Sequence, residues 1–169
     1  MGRIKSIKSR GIYTDLMRKF RDEGHNVYIV TPYERQFGLN TELKIVDDVH
    51  ILGVKTLNIQ KTNFIEKGVG TILLEGQFKR AINSHLSNVF FDLILYSTPP
   101  ITFTSVVKML KKRNPNAISY LLLKDIFPQN AVDLGLFSKK SPIYLFFRKK
   151  EIGLYKISDY IGCMSPANV

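Results

Sequence analysis

A doubly wound, mostly parallel α/β domain is the fold class this sequence predicts, and three observations predict it. Its apolar runs are short and continuous, as in FDLILYS (91–97) and AISYLLL (117–123), which is how strands buried on both faces read. Those runs alternate with segments of helical periodicity. Glycine, proline and asparagine punctuate the junctions.

The elements follow in order. A basic start, MGRIKSIKSR, leads into a stretch (9–32) that reads as loop, helix and strand. Tyr13, Leu16, Met17 and Phe20 form one apolar stripe at helical spacing, and Gly24 stands where a C-terminal capping glycine belongs. Val27–Val30 is a short strand that Thr31-Pro32 is expected to close. Such a unit normally follows a buried strand, and here the first strand is missing or shrunk to Arg3–Ile7. Residues 33–44 are polar and loop-like. Val46–Val54 reads as a second strand.

A long helical pattern covers 64–89 through Leu73, Leu74, Phe78, Ile82 and Leu86. Gly68, Gly70 and Gly76 weaken it by about 1 kcal/mol each relative to Ala. FDLILYS is a buried strand stopped by Pro99-Pro100, and Thr102 or Thr104 is expected to cap a helix running through Arg113. Asn114-Pro115-Asn116 is a turn before the strand AISYLLL. A basic, apolar segment covers Lys139–Lys156, and DYIGCMSP (159–166) is a last short strand. The reading is one domain over 1–169, cut at both ends, because a strand of such a sheet normally feeds a further helix.

Composition narrows the function. With 169 residues, 44% apolar and 23% charged, the chain is globular rather than disordered. The single cysteine, Cys163, excludes a disulfide framework and a cysteine-based zinc site, and favours a reducing compartment. No apolar run approaches the roughly 20 residues that span a bilayer, so a cytoplasmic protein is expected. The net charge of +11 suits a nucleic acid, an anionic lipid surface or a phosphate-bearing substrate. His25, His50 and His85 show no metal spacing, and no phosphate-binding loop, dinucleotide fingerprint or Ser/His/Asp set is present. No metal and no cofactor is predicted.

Ligands of open parallel sheets bind at the carboxyl ends of the strands. Ser9–Ile12, Thr31–Arg35, Ser97–Thr102 and Lys124–Asn130 belong there. Gly11 precedes a helix whose free N–H groups could hold a phosphate beside Arg10, or it is a plain turn. Ser97-Thr98-Pro99-Pro100 offers hydroxyls for a sugar or phosphate, or is a helix-entry loop. Lys124 and Asp125 end an apolar strand with charge; they pair structurally, or Asp125 accepts from a hydroxyl while Lys124 neutralises a phosphate. The stretch 139–156 carries six basic residues against one acid, with Ile143 to Phe147 together. It suits a helix at an anionic membrane or one packed on the sheet with a solvated basic face. No nucleic-acid recognition motif appears.

In order, these segments resemble the N-terminal half of bacterial family 4 glycosyltransferases, enzymes of GT-B fold that build capsular and surface polysaccharides. The matching residues are Ser9-Arg10-Gly11-Ile12-Tyr13, EGHNVYIVTP (23–32), FDLILYSTPP (91–100), LLLKDIFPQN (121–130) and KISDYIGCMSP (156–166). The resemblance implies a Rossmann-like acceptor-binding domain, with the nucleotide-sugar domain absent from this chain. It places Arg10 and Gly11 facing the donor phosphates, and Thr98, Pro99, Lys124 and Asp125 on the acceptor. Some relatives place a histidine at the strand end occupied here by Thr98 and Pro99, and no catalytic residue is assigned.

The implied acceptor is a lipid diphosphate-linked sugar, reached from the inner face of the membrane by Phe146, Phe147, Arg148, Lys149 and Lys150. The nucleotide-sugar would be a substrate of the full enzyme, and the isolated chain is expected to be inactive. The alternative is a non-catalytic module that pairs with a separate donor-binding subunit. No specific nucleic-acid partner is expected.

Overall fold

The computed structural model describes residues 4–58 and 64–163, and the chain is an α/β protein. Its contacts divide it into two compact units, Met1–Ser87 and Asn88–Val169.

The first unit begins with α1 (Ile12–Asp22), which ends as predicted at Gly24. Gly24 takes a φ of 84°, its N–H reaches the Arg21 carbonyl (2.9 Å), and the His25 N–H reaches that of Phe20 (3.0 Å). This is a Schellman cap, and its customary contact across the cap is the edge-to-face pair Phe20–His25. Met17 and Phe20 pack on a core of Ile7, Val27, Ile29, Val49 and Ile51. Ile4–Ile7 form no strand, although Ile7 is fully buried and the Ile4 N–H binds the Thr31 hydroxyl (3.1 Å). Arg3 lies outside the described residues.

Three strands follow, β1 (Tyr28–Glu34), β2 (Glu42–Val46) and β3 (Val49–Thr56), in the order β1-β3-β2. β1 runs parallel to β3, and β2 antiparallel to it. Three expectations are corrected here. Thr31-Pro32 does not close β1. Its edge position explains why: Val27 accepts from His50 N–H (2.9 Å), so alternate residues face β3 and the N–H that Pro32 lacks points off the ladder. Residues 33–44 are not all loop, because they contain the end of β1, a 3₁₀ turn at Arg35–Phe37 and the start of β2. Val46–Val54 is not one strand, because Asp47 and Asp48, with φ of 54° and 59°, make a hairpin turn inside it. The Asp47 carboxylate also accepts from Ile7 N–H (3.2 Å) and pairs with Lys8 Nζ (3.3 Å) and the Ser6 hydroxyl.

The helix predicted over 64–89 is α2 (Phe64–His85), which packs on β3. Leu74, Phe78, Ala81, Ile82 and Leu86 are buried at helical spacing, while Leu73 is exposed.

The second unit holds β4 (Leu93–Ser97), α3 (Thr104–Arg113), β5 (Ile118–Leu123), α4 (Gln129–Asp133), α5 (Pro142–Ile157) and β6 (Tyr160–Cys163). Its sheet is parallel throughout, in the order β4-β5-β6. Val106, Val107 and Leu110 of α3, Leu121 of β5 and Leu154 of α5 are buried. The runs expected to be buried on both faces are buried only in part: Leu93, Ile118 and Tyr160 are exposed, and Leu95, Tyr120 and Leu122 on the same face are half-buried. Neither Thr102 nor Thr104 caps α3; Phe103 holds the capping position without a side-chain bond, and the Thr104 hydroxyl bonds the Lys150 carbonyl (3.4 Å). The turn after α3 rests on buried Asn114, which accepts from Phe91 N–H (2.8 Å) and donates to the Leu110 carbonyl (2.7 Å). Ser141 caps α5 by accepting from Tyr144 N–H (3.2 Å), with Pro142 in the first turn. Met164–Pro166 lie outside the described residues.

Candidate functional site

β4 and β5 are parallel neighbours, so the loops after them emerge side by side at the carboxyl edge of the sheet. Apolar residues of both strands hold them in register, with Ser97 opposite Leu122. The Thr98 N–H continues the ladder to the Leu122 carbonyl (3.2 Å). Beyond it the Thr98 side chain, 1% exposed, takes over. Its hydroxyl accepts from the Lys124 N–H (3.2 Å) and donates to the Asp125 carbonyl (3.2 Å).

Thr98, Lys124 and Asp125 are thus brought together, but not with the roles the sequence suggests for all three. The Thr98 hydroxyl is saturated by main chain and acts as a staple. Lys124 is half-buried, and Asp125 and Pro99 are exposed. Chemically the edge offers a cation and a carboxylate on a stretch of main chain that the staple fixes to the end of β4. That combination can pair with a phosphate and accept from a sugar hydroxyl.

Arg10 and Gly11 belong to the first unit and are exposed there. The Gly11 N–H is met by the Asp15 carboxylate (3.3 Å), and the Thr14 hydroxyl reaches the Ser9 carbonyl (2.7 Å). A phosphate at this helix start would compete with Asp15, a protein carboxylate already placed where the helix dipole favours negative charge.

On α5, Phe146 is exposed with Lys150 Nζ 5.9 Å from its ring centroid, a cation–π distance. Phe147 turns inward against Phe127 (5.1 Å between centroids), and Lys149 is exposed. Arg148 pairs with Glu151, which is 1% exposed and also accepts from the Tyr155 hydroxyl (2.8 Å). Burial and the Glu151 carboxylate push the Tyr155 pKa up.

Sequence reasoning missed this buried carboxylate. The signal was the helical spacing of Arg148, Glu151 and Tyr155, which puts all three on one face. It also missed a clasp at the opposite end of the sheet. Asp159 binds Lys111 Nζ (2.7 Å) and accepts from Ser119 N–H (2.8 Å), and its own N–H reaches the Ser119 hydroxyl (3.0 Å). The Lys111 ammonium, then the Ser119 amide and hydroxyl, hold the Asp159 pKa down at about 2.

Among the described residues, no helix is long and apolar enough to cross a membrane. The sequence matches no protein-family model, and no curated protein matches it.

Proposed function

We propose that this chain is the Rossmann-like acceptor-binding part of a GT-B, family 4 glycosyltransferase of surface polysaccharide assembly. It would bind a lipid diphosphate-linked sugar, while a donor-binding domain or subunit supplies the nucleotide-sugar. The observation that carries the reading is the Thr98 staple, which sets Lys124 and Asp125 at the carboxyl edge of two parallel strands. Lys124 would neutralise the diphosphate and Asp125 would accept from the acceptor hydroxyl, orienting it for transfer. No residue of this chain is proposed as the base.

Titration of the chain with a short-chain polyprenyl diphosphate sugar, followed by amide NMR, tests this. The Lys124 and Asp125 amides are expected to shift, and Lys124→Ala is expected to weaken the response. An acceptor that leaves both amides unmoved overturns the proposal. Binding without transfer, when a donor-binding partner and nucleotide-sugar are added, would favour a non-catalytic module.

A further inference from the structure

We propose that the carboxyl end of β1 and β3 holds a binding site for a vicinal diol, the paired hydroxyls of a ribose or of a sugar ring. Glu34 and Thr56 are the residues that read it. The site lies wholly in the first unit, and the inference does not depend on the transferase reading. It uses a strand-end segment, Thr31–Arg35, that the sequence singles out and the edge at Thr98 leaves unused.

Strand geometry brings the two residues together. Glu34 and Thr56 are the last pair in the register of parallel β1 and β3, so both side chains leave the same face of the sheet. On that face Leu52 and Val54 of β3 and Pro32 of β1 are buried. Apolar packing thus runs up to the strand ends and stops at a carboxylate and a hydroxyl. Parallel sheets take their ligands at this end.

Both groups are out of water: Glu34 is 4% exposed and Thr56 2%. The Thr56 hydroxyl makes no hydrogen bond among the described residues, although a carboxylate stands on the neighbouring strand. A buried hydroxyl without a partner costs stability, and native proteins keep few of them, so this one points to a group that arrives from outside. Glu34 Oε2 accepts from Gln36 Nε2 (2.9 Å). Gln36 is exposed on the 3₁₀ turn after β1, and its main-chain N–H bonds Asn58 Oδ1 (2.9 Å) in the chain after β3. Its side-chain amide is the donor that a ligand hydroxyl would replace.

A carboxylate accepts through two oxygens, which matches two adjacent hydroxyls on one ring. Thr56 completes the match, because a hydroxyl that donates to Glu34 still has lone pairs for the Thr56 O–H. Dinucleotide-binding folds use an acidic residue beyond the first helix for the ribose 2′-hydroxyl, and Glu34 follows α1 and ends β1 in that manner. A divalent cation would need more charged ligands, and no group of three acidic, histidine or cysteine side chains gathers among the described residues.

Amide NMR titration with uridine, 2′-deoxyuridine, methyl glucoside and cyclohexanol tests the proposal. The Gln36 and Thr56 amides are expected to shift with uridine or methyl glucoside, and which of the two acts separates a ribose from a sugar ring. 2′-Deoxyuridine and cyclohexanol, which lack an adjacent hydroxyl pair, are expected to leave both amides in place. Glu34→Gln is expected to weaken binding about tenfold or more, and Thr56→Val about three- to tenfold. Thr56→Val should also melt no lower than the parent protein, since its hydroxyl holds no described neighbour in place. Amides that neither diol moves overturn the proposal. So do single-hydroxyl probes that bind as tightly as the diols, or a Thr56→Val protein that keeps full affinity.

Discussion

Arg148 and Glu151 are not symmetric partners, and their substitutions should differ in a way the structure sets. The Glu151 carboxylate is 1% exposed, whereas the Arg148 side chain is 45% exposed. Replacing Arg148 by Met keeps the stem packing but leaves a buried carboxylate with Tyr155 as its remaining hydrogen-bond donor among those described. Removing one partner of a buried pair costs about 3–5 kcal/mol, and the half-exposed guanidinium lowers this through solvent screening to roughly 2–3 kcal/mol. Replacing Glu151 by Gln keeps the shape and an acceptor for Tyr155, and the freed guanidinium turns to water. That change should cost about 1 kcal/mol.

Pairing Arg148→Met with Glu151→Leu removes both charges and should recover most of the loss. Urea unfolding followed by far-ultraviolet circular dichroism reads all four proteins. If Glu151→Gln destabilises as much as Arg148→Met, or if the double variant stays as weak as Arg148→Met, the buried-charge reasoning is refuted.

Thr98→Val preserves shape but removes the hydroxyl that the Lys124 N–H and the Asp125 carbonyl both use, at about 1–3 kcal/mol; urea unfolding gives the loss, and faster hydrogen exchange at Lys124 would localise it. The pKa of Asp159 is held at about 2, below its ordinary 3.8, so its contribution is present above pH 4 and fades as pH falls through the folded value. Asp159→Asn should remove that part of the acid dependence, which melts between pH 2 and 6 would show. A Cβ at Gly53 would sit 2.1 Å from the Tyr33 ring, so Gly53→Ala must displace a buried aromatic on β1. A loss of about 1–3 kcal/mol is expected, and a neutral thermal melt would contradict it.

Elements whose local chemistry agrees with their packing were legible. The α1 stripe with Gly24, the runs of β4 and β5, and the break at Asn114 all read correctly, because periodicity and turn residues point the same way. The β2–β3 hairpin was not legible. Positive-φ turns are normally announced by Asn-Gly or Asp-Gly, and Asp47-Asp48 gives no such signal. Pro32 misled because its cost depends on which edge it occupies, a fact of tertiary structure.

At the candidate edge, the sequence named Thr98, Lys124 and Asp125 but could not show that the threonine hydroxyl is consumed by main chain. Glu151 was hidden for the converse reason. It reads as one charge in a basic helix, and burial appears only when that helix is packed against α3.

Asp47 carries a consequence for how this protein comes apart. A non-glycine residue at positive φ costs about 1 kcal/mol or more. The same carboxylate grips Ser6, Ile7 and Lys8, so the strained tip and the leading segment are tied through one group. Releasing either end frees the other, and the two should open as a single local unit ahead of the sheet. The Ser6 hydroxyl, followed by Lys8 and the Ile7 amide, keeps the Asp47 pKa below 3.8, so this opening is favoured as acid titrates the carboxylate through its folded value. Acid therefore loosens the hairpin tip and the Ser6–Lys8 segment together, as one coupled latch.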